Sequence, residues 1–342
     1  MRFETAGAPH TGPSNTVTMM MLRVLVATIP GVLVSVLFFG MGVIINLIIA
    51  TAVAVGAEAL MLKWRNRPIQ PTLMDLSAVV TGVLLALAMP PLAPWWLSAI
   101  GAGFAIVFAK HLYGGLGYNP FNPAMAGYAV LLVSFPIYMT AWPNSEADFG
   151  TLSQLWFILT GQLPADTSLD AVTQATPLDH IKTQMALTHT ITEIRESSHV
   201  FSWLGGERWE LINLAFLLGG LYLLVRGVIR WQIPFAMLAS MAFVALIMHG
   251  YDSDLYATPQ FHLFSGATML GAFFVATDPV SACTTPRGRL FYGAGIGVLV
   301  YAIRTFGGYP DGVAFSVLLM NMAAPTIDRY TAPRVYGHGE SE

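Results

Sequence analysis

Charged residues are scarce in this sequence of 342 residues. Lys and Arg together number 16 and Asp and Glu number 19, so 10% of the residues are charged, whereas 55% are hydrophobic. Soluble domains carry about 25% charged residues, so this composition excludes a soluble globular protein and indicates an integral membrane protein surrounded by lipid. The formal net charge of −3 argues against binding to nucleic acid.

Cysteine is scarcer still, because Cys283 is the single one in the sequence. One cysteine excludes a disulfide framework, a cysteine-ligated zinc site and a four-cysteine iron–sulfur cluster within the chain. The sequence has no Walker loop, Rossmann fingerprint or nucleophile elbow, and its histidines lack the spacing of a metal site. No motif therefore predicts binding of ATP, NAD or a metal.

Long apolar runs are what the sequence has in abundance. A transmembrane helix needs about 17–25 apolar residues, and fewer where a helix is broken or buried in protein. Ten runs are predicted to span the membrane: 20–40, 42–62, 76–92, 94–110, 124–142, 210–226, 233–250, 263–282, 289–305 and 311–325. Residues 1–19 are polar, contain no evident cleavable signal peptide and are predicted to be a cytoplasmic segment.

Basic residues orient these spans, because cytoplasmic loops are enriched in Lys and Arg. With the N terminus in the cytoplasm, all but four of the 16 basic residues lie on the cytoplasmic side. The four exceptions are Lys182, Arg195, Arg208 and Arg304. The tail 326–342 is then cytoplasmic, and the polar stretch 143–209 is a large extracytoplasmic loop, which faces the periplasm in a Gram-negative cell.

The two apolar regions on either side of this loop resemble each other. "SAVVTGVLLALAMPP" is echoed by "SGATMLGAFFVATDP", and "GAGFAIVFAKHLYGG" by "GAGIGVLVYAIRTFGG", at a nearly constant offset. Because each region holds an odd number of spans, the second copy must be inverted in the membrane. The prediction is an all-α integral membrane protein with about ten transmembrane helices as two inverted five-helix repeats, 20–142 and 210–325. Chance similarity between segments rich in Gly and Ala is the alternative.

A few polar residues at membrane depth are candidates for an ion pathway. Asn119 and Asn122 each precede a proline in "NPFNPAMAG", and Asp278 precedes one in "ATDPVSA". Proline breaks a helix and frees backbone carbonyls to meet a cation or a cofactor, although a plain helix end explains Asp278 equally well. Glu58 lies inside the second span, where a carboxylate is costly and suggests an ion or proton pathway. Pairing with the nearby Lys63 is the alternative for Glu58.

The polar loop contains the stretch "DAVTQATPLD" at 170–179. Elementary turn chemistry explains it as a side-chain-capped turn formed by Asp170, Thr173 and Thr176 before Pro177. Asp179 then begins a short helix on the outer surface. On this interpretation Thr176 is an ordinary loop residue.

Together with two longer blocks, this stretch resembles a known family. "DAVTQATPLD", "LAFLLGGLYLLVRGVIRWQIP" and "FHLFSGATMLGAFFVATDPVSACTTPRGR" are similar to the D subunits of the Rnf complex, and the similarity extends over essentially the whole chain. That family is homologous to the B subunits of the sodium-pumping NADH:quinone reductase. The resemblance implies a bacterial inner-membrane subunit of an ion-translocating ferredoxin:NAD oxidoreductase, not active alone, that couples electron transfer to movement of Na⁺ or H⁺.

The resemblance also implies cofactors. Members of the family carry FMN joined through its phosphate to the last threonine of an Asp-x-x-Ser/Thr-Gly-Ala-Thr motif. Asp170, Thr173, Ala175 and Thr176 match this motif, which makes Thr176 the expected attachment point, while Gln174 stands in place of the glycine. The "SGAT" that ends at Thr268 matches the short motif better, but it lacks the aspartate and lies in an apolar span. A non-covalent riboflavin between the spans is implied as well.

Partners follow from the same resemblance. They are the A, B, C, E and G subunits of the Rnf complex, with the FMN-bearing G subunit on the outer side, and a flavin transferase for maturation. The alternative within the family is a quinone-reductase B subunit, although those chains usually carry a longer N-terminal extension than the short segment here. The alternative outside the family is a channel for a small solute with the urea-transporter architecture and no flavin.

Overall fold

A computed structural model describes residues 16–144, 150–163, 168–197, 201–206 and 208–333. Those residues are overwhelmingly helical, which confirms the all-α class. Among them, three helices are long and apolar enough to cross a membrane: α1, Val17–Phe39; α2, Gly42–Trp64; and α13, Gln232–Tyr251.

The first half of the chain continues from α2 with shorter elements. These are α3 (Ile69–Leu73), α4 (Ser77–Ala88), α5 (Trp95–Phe104) with its π-helical continuation Ala105–His111, α6 (Pro123–Ser134) and α7 (Pro136–Thr140). The predicted span 124–142 is therefore divided between α6 and α7. The break follows from Pro136, which disfavours helix at the residue before it.

A connecting segment, residues 142–206, joins the two halves. It contains β1 (Trp142–Pro143), α8 (Thr151–Thr160), α9 (Leu169–Val172), β2 (Thr173–Gln174), α10 (Pro177–Ala186) and α11 (Ile191–Ser197). The two short strands pair antiparallel, with Trp142 opposite Gln174 and Pro143 opposite Thr173. This pairing holds the stretch that precedes Thr176 against the end of the first half.

The second half begins with α12 (Trp209–Val225) and α13. It continues with α14 (Pro259–Phe264), α15 (Thr268–Leu270), the π-helical segment Gly271–Val275, α16 (Pro286–Phe306) and α17 (Val313–Thr331). The predicted span 263–282 is broken into three short elements, and α17 continues beyond the predicted end at residue 325. The arrangement of ten spans as an inverted repeat therefore stays a prediction.

The two halves pack against each other through α1 with α12 and through α6 with α17. Small residues allow the close approach: a methyl group on Gly219 would collide with the carbonyl oxygen of Ala27, and one on Gly31 would collide with the ring of Phe216. At α6 the contact is polar, because the backbone N–H of Asn122 donates to Asn321 Oδ1 over 3.0 Å. Cavities remain between the halves on either side of these contacts.

Candidate functional site

The larger cavity opens beside Thr176 and is called the Thr176 cavity below. It encloses about 1170 Å³ of space between atoms, part of which is open to solvent. Its walls come from the first half, the connecting segment and the second half. They include Ser35, Phe39, Met125, Tyr128, Trp142, Thr176, Asp179, Trp209, Phe216, Gly266, Ala267, Leu270, Asp311 and Ala314. A space of this size and mostly apolar character suits a planar ring system.

Thr176 occupies the N-cap position of α10. Its extended backbone lets the side-chain oxygen accept a hydrogen bond from the backbone N–H of Asp179 over 3.2 Å. Pro177 follows at the first helical position, where the missing N–H costs nothing. The capped turn expected from the sequence is therefore present, and Thr176 also lines the cavity. Its hydroxyl stands at the positive end of a helix, which favours a phosphate group.

The other residues of the predicted attachment motif lie just before Thr176. Thr173 is half-buried in β2, and Gln174 and Ala175 are exposed. Asp170 belongs to α9, but its side chain lies outside the described part of the structure. The motif therefore ends at Thr176, which is half-buried at the mouth of the cavity.

Charged groups surround this turn. Burial raises the pKa of Asp179, and the nearby Lys182 and His180 partly oppose that shift. Burial also lowers the pKa of His180 and of Lys182, with Asp179 opposing in both cases. Lys182 Nζ donates to the carbonyl oxygens of Ile303, Arg304 and Tyr309 at 3.4, 3.3 and 2.8 Å. That contact fixes α10 to the C-terminal end of α16, where a cation is favourable.

Thr268, the competing threonine, is in a different environment. It is fully buried, and its hydroxyl donates towards the carbonyl oxygens of His262 and Ser265, each at 2.9 Å. It also accepts a hydrogen bond from Arg304 Nη2 over 2.9 Å. A hydroxyl held in this way has no room for a phosphate and no access to a modifying enzyme.

Three aromatic rings form one wall of the Thr176 cavity. The ring centroids of Trp142 and Trp209 are 4.8 Å apart, and Phe39 lies 5.6 and 5.7 Å from them. Asp311, from the second half, also lines the cavity and pairs with the buried Arg304, whose Nη2 lies 3.0 Å from Asp311 Oδ1. The cavity thus combines an aromatic wall with a carboxylate that is neutralised by an arginine.

A second cavity, called the Asn119 cavity, encloses about 760 Å³. It brings together three of the four residues proposed for the ion pathway, Asn119, Asn122 and Asp278, and adds Lys110. Asn119 Nδ2 donates to Phe121 O over 3.0 Å, whereas the buried Asn119 Oδ1 has no hydrogen-bond partner among the described residues. An unpartnered buried acceptor beside a cavity suits a ligand with N–H or O–H groups, or a cation.

Glu58, the fourth residue, is fully buried next to this cavity. The alternative that it pairs with Lys63 is wrong, because its partner is the buried Lys110, with Nζ 2.5 Å from Oε1. His111 Nε2 lies 3.3 Å from the same oxygen. Glu58 Oε2 has no hydrogen-bond partner among the described residues.

A chain of hydrogen bonds leads from Glu58 towards the surface. Lys110 Nζ donates to Ser77 Oγ over 2.6 Å, and Ser77 Oγ donates to Asp75 Oδ1 over 2.5 Å. Asp75 also accepts the backbone N–H of Ser77 in the first turn of α4, over 2.7 Å. Buried groups linked in this way are able to pass a proton by small movements of Ser77 and Lys110.

Comparisons with known proteins identify the family of the chain. The family model described as NQR2, RnfD, RnfE matches residues 4–337. This chain belongs to that family. It is 52% identical over 344 residues to a protein of Shewanella amazonensis described as the D subunit of an ion-translocating oxidoreductase complex, with 99% of each chain covered. It is 53% identical over 333 residues to the protein of the same description from Ectopseudomonas mendocina, covering 97% of this chain and 95% of the relative.

The structure also shows two site residues that the sequence did not indicate. Lys110 and Arg304 both lie at the end of apolar runs, where a basic residue normally indicates a span boundary. In the structure both are buried and paired with carboxylates. The available signal was the repeat itself, because the echoed segments "AIVFAKH" and "VLVYAIRT" place a cation at nearly the same position in each half.

Proposed function

We propose that this chain is the D-type subunit of an ion-translocating oxidoreductase complex and carries FMN on Thr176. The observation that supports this most directly is the position of Thr176, a capping hydroxyl at a helix N terminus and at the mouth of a large apolar cavity. The relatives bear the description of such a subunit. When bound, FMN supplies the electron-transfer chemistry that no side chain offers.

The residues present fit such a group. A phosphate esterified to Thr176 Oγ1 would lie near the N–H groups of the first turn of α10, where the helix dipole favours negative charge. The ring system would lie in the Thr176 cavity against Trp142 and Trp209, whose indoles offer flat apolar surfaces. Lys182 would keep α10 in place by its contacts with the end of α16.

The same proposal assigns riboflavin to the Asn119 cavity. Asn119 Oδ1 would accept a hydrogen bond from the flavin, Asp278 would accept another, and Lys110 would supply a donor. Both cavities lie between the two halves of the chain, so the two flavins would provide two redox sites within one subunit. The partners would be the other subunits of the complex, with the flavin-bearing G subunit next to the connecting segment, and a flavin transferase.

The proposed ion pathway uses Glu58, Asp278, Asn119 and Asn122, with Na⁺ or H⁺ as the ion. Glu58 shares Lys110 with the wall of the Asn119 cavity, so a change of charge in that cavity acts on the Glu58–Lys110 pair directly. The hydrogen-bonded chain through Ser77 to Asp75 gives protons a way to and from the pair. On this proposal the chain resides in the bacterial cytoplasmic membrane, with both termini in the cytoplasm and the connecting segment outside.

Mass mapping of tryptic peptides from the denatured chain tests the FMN site. Thr176 falls in peptide 111–182 and Thr268 in peptide 231–287, so the two candidate threonines separate. We expect an FMN-sized adduct on the first peptide that disappears in Thr176→Ala and persists in the matched control Thr268→Ala. An adduct on the second peptide would refute the site, and a colourless chain with neither adduct would favour the solute channel.

Ion uptake by membrane vesicles tests the pathway. Glu58→Gln and Asp278→Asn are expected to reduce electron-driven uptake of Na⁺ or H⁺ while the complex still assembles. Glu196→Gln, at an exposed position of α11 outside the proposed pathway, is the control. Unchanged uptake in both principal variants, with normal assembly, would exclude both carboxylates from the pathway.

A further inference from the structure

Helix α8 in the connecting segment has an unusual composition for a helix outside the predicted spans. Its sequence, TLSQLWFILT, contains no charged residue. Leu152, Leu155, Trp156 and Leu159 are all exposed, Leu152 by 80% and Trp156 by 55%. Their spacing of three and four residues places them on one face of the helix. An exposed apolar face without charge is unfavourable in water, so we expect it to contact an apolar environment.

The opposite face of α8 is fixed to the first half of the chain. Gln154, Phe157 and Ile158 are buried there. Gln154 Oε1 accepts the backbone N–H of Gly42, the first residue of α2, over 2.9 Å. Gly40 at the end of α1 is equally close, because a methyl group on it would collide with the amide of Gln154. Helix α8 therefore lies across the turn that joins α1 to α2.

That turn marks the end of two helices that are long and apolar enough to span a membrane. Leu33, Leu37 and Met41 are exposed at the same end and follow each other at intervals of four residues. This row forms an exposed apolar stripe that runs along α1 and continues into the turn beside Gly40. The exposed face of α8 thus lies next to the ends of two helices of spanning length, and in a membrane such ends meet the boundary between acyl chains and headgroups, where tryptophan is enriched.

We propose that α8 is an interfacial helix whose Leu152–Leu159 face is immersed in the headgroup–acyl boundary of the outer leaflet. The partner is phospholipid, and the absence of charge on α8 means that binding depends on apolar burial rather than on anionic headgroups. The inference is independent of the flavin on Thr176. It also distinguishes α8 from α10 and α11, both of which carry charged residues.

Photo-cross-linking in intact cell membranes tests this proposal. The photoreactive residue p-benzoylphenylalanine replaces Trp156 in one variant, Leu159 in a second and the exposed Glu196 of α11 in a third, in the full chain with its natural partners. After irradiation, the mass of the denatured chain is measured. We expect a shift equal to one phospholipid at positions 156 and 159 and no such shift at position 196.

Two results would overturn the proposal. A cross-link to another protein at both 156 and 159 would make this face a subunit interface. An unmodified chain at both positions, with the benzophenone still reactive towards an added apolar detergent, would mean that the face meets water. Because the replaced side chains are exposed, the substitutions leave folding intact.

Discussion

The two cavities between the halves differ in how they treat charge. In the Thr176 cavity the nearest ion pair, Arg304–Asp311, is anchored to backbone groups, and most of the remaining wall is aromatic and aliphatic, apart from Asp179 and a few hydroxyl groups near Thr176. In the Asn119 cavity, Lys110 belongs to the wall itself, and its partner Glu58 keeps one oxygen without a hydrogen bond among the described residues. The first pair is a fixed structural element, whereas the second has unused bonding capacity.

This difference has a physical consequence. A carboxylate whose oxygens are all satisfied gains little from a change of protonation, and Asp311 accepts from Arg304, Ala267 and Val313. Among the described residues, Glu58 meets Lys110 and His111 at one oxygen and has no hydrogen-bond partner at the other, so we expect its charge to respond to changes in the cavity next to it. Under the proposed function, the fixed Arg304–Asp311 pair would keep the shape of the Thr176 cavity around FMN, and the Glu58–Lys110 pair would couple charge in the Asn119 cavity to ion movement.

The largest expected effect comes from removing the cation of the Asn119 cavity. Lys110→Met leaves the Glu58 carboxylate buried without its partner, so we expect the free energy of unfolding to fall by about 3–5 kcal/mol. Thermal unfolding of the purified chain in detergent measures it. The double variant Lys110→Met with Glu58→Gln removes both charges and is expected to recover most of the loss. A single variant as stable as the native chain would mean that the Glu58–Lys110 ion pair contributes nothing to stability.

Arg304→Met tests the other cavity and is expected to cost less, about 2–3 kcal/mol. The side chain of Asp311 is 21% exposed, so water can solvate its carboxylate after the cation is lost. The backbone N–H groups of Ala267 and Val313 also continue to donate to this carboxylate. The same thermal measurement applies, with Asp311→Asn as the matched control. A loss larger than that of Lys110→Met would reverse the comparison between the two cavities.

Much of the fold was accessible from the sequence because long apolar runs and scarce charge have few physical interpretations. Helices α1, α2, α12 and α13 lie where the runs predicted them. The breaks at Pro136 and within 263–282 were harder, because apolar length alone does not say whether a run is one helix or several. Short helices are stable there only through packing against neighbours, which a sequence does not display.

The candidate site likewise has residues that the sequence indicated and contacts that it did not. Thr176 was accessible from a local motif, and Asn119, Asn122 and Asp278 from their prolines, because each signal lies within a few residues. Proximity in sequence offered Lys63 as an alternative partner of Glu58, whereas in the structure the partner is Lys110, which comes from another helix. The aromatic wall formed by Phe39, Trp142 and Trp209 was not evident from the sequence for the same reason, because its members come from three separate elements.

A smaller effect is expected at the attachment of α10. Lys182→Met removes the donor to three carbonyl oxygens at the end of α16, so α10 should open more often while the spans stay folded. We expect a loss of about 1 kcal/mol, reduced because Lys182 is partly exposed to solvent. Limited proteolysis of the connecting segment measures it, with the exposed Lys63→Met as control. Equal cleavage in both variants would show that other contacts hold α10.

The smallest effect is a pH dependence confined to the mouth of the Thr176 cavity. Burial lowers the pKa of His180, so the unfolded segment binds a proton more readily than the folded one. The stability associated with His180 is therefore complete above about pH 6.5 and decreases as the pH falls towards the lowered pKa of the folded state. Asp179 acts in the opposite direction and at lower pH, because burial raises the pKa of its carboxyl group above the usual value for aspartate.

His180→Gln separates these two titrations. The test range, pH 7.5 to 5.5, extends about one pH unit on either side of the ordinary pKa of histidine. As the pH falls through this range, we expect cleavage of the connecting segment by a pH-tolerant protease to increase in the native chain and to stay level in the variant. The spans should stay folded over this range, because His180 lies in α10 of the connecting segment and not in a span. An increase of the same size in His180→Gln would assign the pH dependence to another group, and a simultaneous loss of the spans would show that the two cavities are not independent.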